Sequence, residues 1–266
     1  MSRDSIFWGG VLLAVGSLFL ASNLGYVAFD LNLLWPIFII ALGLYILLGR
    51  YSSSPSDAPS QEVSVPLDGA TEATVRLEHG AGRLVITGSA PKGKLLAGSF
   101  DSMRLSTGKS GSKLKVTLHT AVDDTLKFIF PWNWSRGRRT WKFGLTPEVP
   151  ISLKIESGAS ESNLDLSECK VVDLDIDTGA SSTTIVMPKA AGHTKAEISG
   201  GAASFDVTIP KGVAAKIRVE SGLGSVSVDE DRFPRAGKAY QSADYESAAN
   251  TLDLRLEVGV SSVTIR

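Results

Sequence analysis

Leu153-Lys154-Ile155-Glu156-Ser157-Gly158-Ala159-Ser160 alternates apolar and polar residues into a Ser-Gly break and continues in small residues. The phrase returns over residues 174–181, 196–203, 217–224 and 254–261, with a degenerate early copy over 75–82. Aligned on the break, the glycines are Gly80, Gly158, Gly179, Gly201, Gly222 and Gly259; the four from Gly158 to Gly222 are spaced 21, 22 and 21 residues apart. A fixed period of roughly 20 to 50 residues marks one supersecondary unit stacked on itself, because a single unit cannot bury its apolar face alone.

Around the breaks the hydropathy has period two. Asp173-Leu174-Asp175-Ile176-Asp177, Leu252-Asp253-Leu254-Arg255-Leu256 and Ser225-Val226-Ser227-Val228 alternate without error, the pattern of half-buried strands. Each repeat reads as a strand, a break and a second strand such as 184–187 or 205–209. Pro188-Lys189 and Pro210-Lys211 close two successive repeats at equivalent points. Glycine at the break either supplies a backbone conformation closed to other residues or lets the next layer come close. The pattern predicts an elongated all-β repetitive domain over residues 63–266, solenoid-like or of stacked hairpins, with a β-sandwich of short strands as the alternative. Residues 121–150 and 229–250 interrupt the array, the second lengthening the last glycine interval to 37 residues.

The 266 residues carry a net charge of −1, which offers no general basic bias toward nucleic acid, and the single cysteine, Cys169, excludes an intrachain disulfide. The first fifty residues are of another kind. Residues 6–22 and 31–49 are uncharged runs of 17 and 19 residues, and roughly 17 to 25 apolar residues span a bilayer as helix. A secretory signal peptide is the rival reading of the first run, but the second run follows at once. Residues 1–50 therefore predict a transmembrane helical hairpin and residues 51–62, rich in Ser and Pro, a flexible linker. Gly10, Ala14, Ser17 and Ala21 share one face of the first helix, a small-residue stripe of the kind that packs against another helix. Arg3 and Arg50 flank the hairpin while its turn has no Lys or Arg. The positive-inside rule thus places both ends, and the β domain, in the cytoplasm.

Phe7-Trp8-Gly9-Gly10-Val11-Leu12-Leu13, Asn23-Leu24-Gly25 and Leu34-Trp35-Pro36-Ile37 with Gly43 resemble the LiaI/LiaF-like transmembrane region of bacterial envelope-stress systems. The Glu-Ser-Gly repeats that follow are similar to the toastrack domain, also labelled an adhesin domain. The resemblance implies an inner-membrane protein that senses or regulates envelope stress by contact with a membrane partner, such as a sensor kinase, or with another copy of itself. A structural or adhesive module displayed at the cell surface is the alternative.

The most distinctive surface segment is Phe128-Ile129-Phe130-Pro131-Trp132-Asn133-Trp134-Ser135-Arg136-Gly137-Arg138-Arg139-Thr140-Trp141-Lys142-Phe143. One reading is a hairpin with cross-strand aromatic pairs and a solvated basic tip. Another makes Trp132, Trp134, Arg136, Arg138, Arg139, Trp141 and Lys142 contacts to the lipid bilayer or a membrane partner, since Trp favours the headgroup level and basic residues an anionic leaflet. Nucleic acid would need a broader basic surface. Asp173, Asp175 and Asp177 share one strand face and read as solvated; a straight strand does not converge the six to eight oxygens that calcium takes. His79, His119 and His193 lie in separate repeats without a second ligand at metal spacing. The serines beside glycine invite a nucleophile reading, but no strand-to-helix G-x-S-x-G elbow or phosphate-binding glycine loop accompanies them. No enzyme activity, cofactor or metal is expected.

Overall fold

The computed structural model describes residues 60–101, 103–120 and 140–266, all within the compact unit Pro55–Arg266. The expected helical hairpin, its small-residue face (Gly10, Ala14, Ser17, Ala21) and Trp132, Trp134, Arg136, Arg138 and Arg139 lie outside the described residues.

The strands are β1 (Ser60–Pro66), β2 (Glu72–Thr87), β3 (Lys94–Asp101), β4 (Met103–Ser110), β5 (Lys113–Thr120), β6 (Thr140–Leu145), β7 (Ile151–Asp165), β8 (Val171–Val186), β9 (His193–Thr208), β10 (Ala214–Val228), β11 (Arg235–Ala236), β12 (Ala239–Gln241) and β13 (Thr251–Ile265). No helix interrupts them among the described residues. The all-β repetitive domain expected from the period-two pattern is therefore present. It begins earlier than expected, because Ser60, Gln61 and Glu62, placed with the linker by composition, pair with Asp101, Phe100 and Ser99.

Strand, break and second strand turn out to be one element. β2, β7, β8, β9, β13 and β10 each run on through the glycine break and lie parallel and in register in that spatial order. What changes at the break is the inward phase. Ile151, Leu153 and Ile155 are buried before it in β7, and Ser160, Ser162 and Leu164 after it. In β8 the buried set moves from Leu174, Ile176 and Thr178 to Thr183 and Ile185. A one-residue change of phase swaps the faces of a strand, so each break is a corner at which the chain turns to keep the same core inside. Both halves feed one hydrophobic cluster, from Val75 and Leu77 before the corner to Leu84 and Ile86 after it in β2 alone.

The corner explains its residues. The glycines stack in the order Gly80, Gly158, Gly179, Gly201, Gly259, Gly222, and a Cβ on any but the first would lie 2.7 to 2.9 Å from the carbonyl oxygen of the glycine before it. None of the six has a positive φ. Of the two reasons for glycine, close approach of the next layer is the one that operates. The serines brace the bend: Ser157 and Ser160 hydroxyls lie 3.0 Å apart across one corner, Thr178 and Ser181 2.9 Å apart across the next. Each such bond contributes on the order of 1 kcal/mol. Positive φ occurs two residues further on in the layers of β2 and β10, at Gly82 and Gly224, and in the turns between layers, at Gly192 and Gly212.

The two ends of the stack are built differently. Before β2, the half ahead of the corner is extended by β5 and β4, the half after it by β6, β3 and β1, with antiparallel pairs outermost. At the other end β13, last in the chain, inserts between β9 and β10. Residues 229–250 fold over the first half of β10, pairing Ile217 with Tyr240 and Lys216 with Gln241 and burying Phe233.

Candidate functional site

β5 and β6 complete one more layer of the repeat. Glu78 pairs with His119 and Arg83 with Thr140, so β5 is the half before the corner and β6 the half after it. Between Glu78 and Arg83 the chain has four residues, 79–82; between His119 and Thr140 it has twenty, 120–139. In sequence this link of twenty residues, which holds most of the aromatic-basic segment, stands where the other layers have a glycine corner. Its exit is tied down by the hydroxyl of Thr120, which donates to the Glu78 carbonyl and accepts from the Gly80 N–H, each at 3.2 Å. On the far side, the Thr140 N–H donates to Asp101 Oδ2 at 2.8 Å.

Here one expected contact residue fails. Trp141 is fully buried, its indole N–H donating to the Asp101 carbonyl at 3.0 Å and its ring meeting Phe100 edge-on at 5.8 Å and His79 at 4.7 Å. The reason is alternation: from Thr140 onward the segment is strand, so Trp141, Phe143 and Leu145 point inward and Lys142 outward. Lys142 is exposed and keeps its availability, whereas Trp141 anchors the segment to the core.

Outward residues of the half ahead of the corner form rows across the layers. The row next to the glycines reads Glu78, Glu156, Asp177, Ser199, Glu257, Glu220, and the row two residues earlier reads Arg76, Lys154, Asp175, Glu197, Arg255, Arg218. Adjacent strands lie about 4.8 Å apart, so like charges stacked at that spacing would repel. Such like-charged neighbours are present in both rows, and basic side chains of the second row reach carboxylates that offset them. Arg76 reaches Glu78 at 3.0 Å and Glu156 at 2.8 Å; Lys154 reaches Asp175 at 2.8 Å; Arg255 reaches Glu257 at 2.6 Å and Glu220 at 3.5 Å. The hydrogen bond from His119 at 2.7 Å holds the Glu78 carboxyl below its usual range, with Arg76 adding to it. Hydrogen bonding to Asp175 raises Lys154. Asp173 and Asp177 are exposed on this face, as expected, and Asp177 accepts from the Ser199 hydroxyl at 3.1 Å. Cys169 is buried under the turn after β7, and burial, with Asp165 and Glu168 nearby, pushes its thiol up to about 12.

A second surface was not anticipated. The residue after each stacked glycine is Ala81, Ala159, Ala180 and Ala202 through the first four layers, then Val260 and Leu223 at the last two. Those two are neighbours in register and are 59% and 72% exposed. The change from alanine to a large apolar residue was readable in the aligned repeats; its placement at one end of the stack was not, because β13 is last in sequence but not last in space.

Residues 54–210 match the N-terminal domain of toast_rack, DUF2154. The chain belongs to the toast_rack family. Residues 6–47 match the LiaI-LiaF-like transmembrane region, so the toast-rack domain is joined to a membrane-anchoring segment. No curated protein matches the chain. Among solved structures, the toast-rack domain is similar to the crystal structure of a "putative cell adhesion protein" from Clostridium sporogenes ATCC 15579. The two share 22% identity at a TM-score of 0.69, over 77% of this chain and 97% of that one, a likeness of fold.

Proposed function

We propose that this toast-rack protein is a membrane-anchored regulator of envelope stress that acts by contact, its two-helix hairpin engaging a membrane partner such as a sensor kinase while the β domain stays on the cytoplasmic side. The observation that carries this reading is the fusion in one chain of a LiaI-LiaF-like transmembrane region with a toast-rack domain. In-cell crosslinking followed by membrane pull-down under cell-wall stress tests it. Recovery of a stress-dependent membrane partner is expected, and recovery of none under any stress counts against it.

Within this function the aromatic-basic segment faces lipid or a partner, with Trp132, Trp134, Arg136, Arg138, Arg139 and Lys142 as its contacts. Replacing these residues in the full chain should weaken capture of anionic vesicles by the β domain, scored by protease protection of the segment 121–139. Unchanged protection would remove it from the contact surface.

Display outside the cell as an adhesive module is the second reading, supported by the likeness to the Clostridium sporogenes protein. A reporter fused after Arg266 separates the two: activity confined to the cytoplasm supports the regulator, activity confined to the outside supports the adhesive module.

A further inference from the structure

The second half of β10 is an open edge. On one side it pairs with β13 from Leu223↔Val260 to Val228↔Ile265. On the other, β12 pairs with Lys216 and Ile217 only. Every residue from Glu220 to Ser227 is exposed. Ser221-Gly222-Leu223-Gly224-Ser225-Val226-Ser227-Val228 contains no charge and no proline. Among the described residues no strand pairs on this side with its N–H and C=O groups, which template pairing with another strand, and it carries none of the lysines, prolines or bulges that usually blunt such an edge.

Apolar surface accompanies it. Val226 and Val228 face the core side, in register with the buried Val263 and Ile265, yet Val226 is 38% exposed because no further layer covers it. On the outer side Leu223 and Val260 stand exposed together. The terminal layer of a stacked array needs a polar cap to stay soluble. Among the described residues, β12 with Tyr240 pairs along the half of β10 before the corner, and no strand pairs along the half after it on that side.

We infer that this half is capped by the same half of a second copy, β10 against β10 antiparallel across a two-fold axis near Ser225. The strand is its own complement. Uncharged throughout, with serines alternating with valines, it can oppose itself without setting like charges against each other, and the same patch is buried on both copies as a two-fold interface requires. Anchoring places the copies together. The matched transmembrane region ends at residue 47 and β1 begins at Ser60. The intervening chain reaches at most about 40 Å, so neighbours in one bilayer hold their edges at high effective concentration. The inference rests on the reading of the β domain as a contact module and names one of its partners.

The test is disulfide crosslinking of the full chain reconstituted in phosphatidylcholine–phosphatidylglycerol vesicles. Ser225→Cys and Ser227→Cys are compared with Ser182→Cys. Ser182, Ser204, Ser262 and Ser225 form one outward row, so position 182 is chemically matched but three strands, about 14 Å, from the edge. A disulfide needs Cα atoms within about 7 Å. The native Cys169 is buried and does not compete. The expected result is an oxidised dimer from Ser225→Cys, which the axis sets against itself, and none from Ser182→Cys or from Ser227→Cys, whose two copies the same register holds about four residues, on the order of 13 Å, apart. Adding Leu223→Lys, at a position too exposed to unfold the domain, should reduce the dimer severalfold, and Val226→Lys should abolish it while the circular dichroism of the strands is kept. No dimer from Ser225→Cys, or equal dimer from Ser182→Cys, overturns the inference; so does protection of position 225 without dimer, which would mean a foreign strand on the edge. Stress-dependent capture of a membrane partner, scored on the same preparations, reports the regulatory reading separately. A captured partner without the edge dimer ends the edge and spares the regulator; a dimer without a partner does the reverse.

Discussion

The interior layers β7, β8 and β9 and the two ends of the stack are made from the same phrase and solve different problems. Inside, each corner glycine is pressed against the carbonyl of the next, alanines follow, and both edges of every strand are paired. At the first end the link between the two halves of the layer is twenty residues long and includes most of the aromatic-basic segment. At the last end the alanine becomes Leu223 and Val260, and half of β10 lies open. Repetition builds a stack whose interior has little left to offer a partner. Contact is left to the ends, where a layer lacks a neighbour.

The largest expected difference between interior and ends is at the glycines. In Gly179→Ala the new Cβ would lie 2.7 Å from the Gly158 carbonyl oxygen, backbone that cannot move without shifting a layer. A loss of about 2–4 kcal/mol in denaturant unfolding is expected, the upper range for a point change. Gly80→Ala, at the end of the ladder with nothing within 4 Å among the described residues, should stay within about 0.5 kcal/mol of the parent. Equal losses would mean that the stack is not what excludes a side chain.

The valine row sharpens the contrast at the other end. Val263 and Val226 are paired neighbours, 1% and 38% exposed. Val263→Ala removes two buried methyl groups and should cost about 2 kcal/mol or more, while Val226→Ala should cost under about 1 kcal/mol. If the edge dimer forms, the gap should narrow in vesicles relative to dilute detergent, because the second copy then covers Val226.

The smallest effect is electrostatic and belongs to the first end. Glu78 has its pKa lowered by His119 and Arg76. Its contribution to stability is therefore full above the ordinary glutamate value of 4.5 and is lost as pH falls through the lower folded value. The side chain is 36% exposed, so the effect should sit at the low end of the roughly 0.2–1 kcal/mol of exposed pairs. Glu78→Gln should flatten the acid limb of a stability–pH profile by that amount and leave the profile above about pH 6 parallel to the parent. A profile unchanged below pH 4.5 would remove the pair from the stability of this end.

Much of this was legible in the chain alone. Period two announced the strands, and the 21- and 22-residue spacing announced the layers. The aligned glycines named every member of the ladder before their contacts were known. Trp141 was misjudged because a run of aromatics looks the same whether it is loop or strand; only pairing with Phe100 and Leu84 sets the phase that turns it inward. The turn of the chain at each break was hidden for a related reason, since a phase change looks like a gap between two strands until the neighbouring layers show the pairing unbroken.

The repeated unit is written in the chain: alternation fixes which side of each half-strand is apolar, and the recurring glycine fixes where every layer bends. The order of the layers, and hence which of them is last, is set by tertiary pairing. Local pattern cannot choose between β10 and β13 for the final place, because both carry the same phrase and either could pair with β9. The choice is made by residues 229–250, which fold back over the first half of β10 and leave β13 to fill the gap beside β9. That placement turns Leu223 and Val226 from two more members of a repeat into the open end of the molecule.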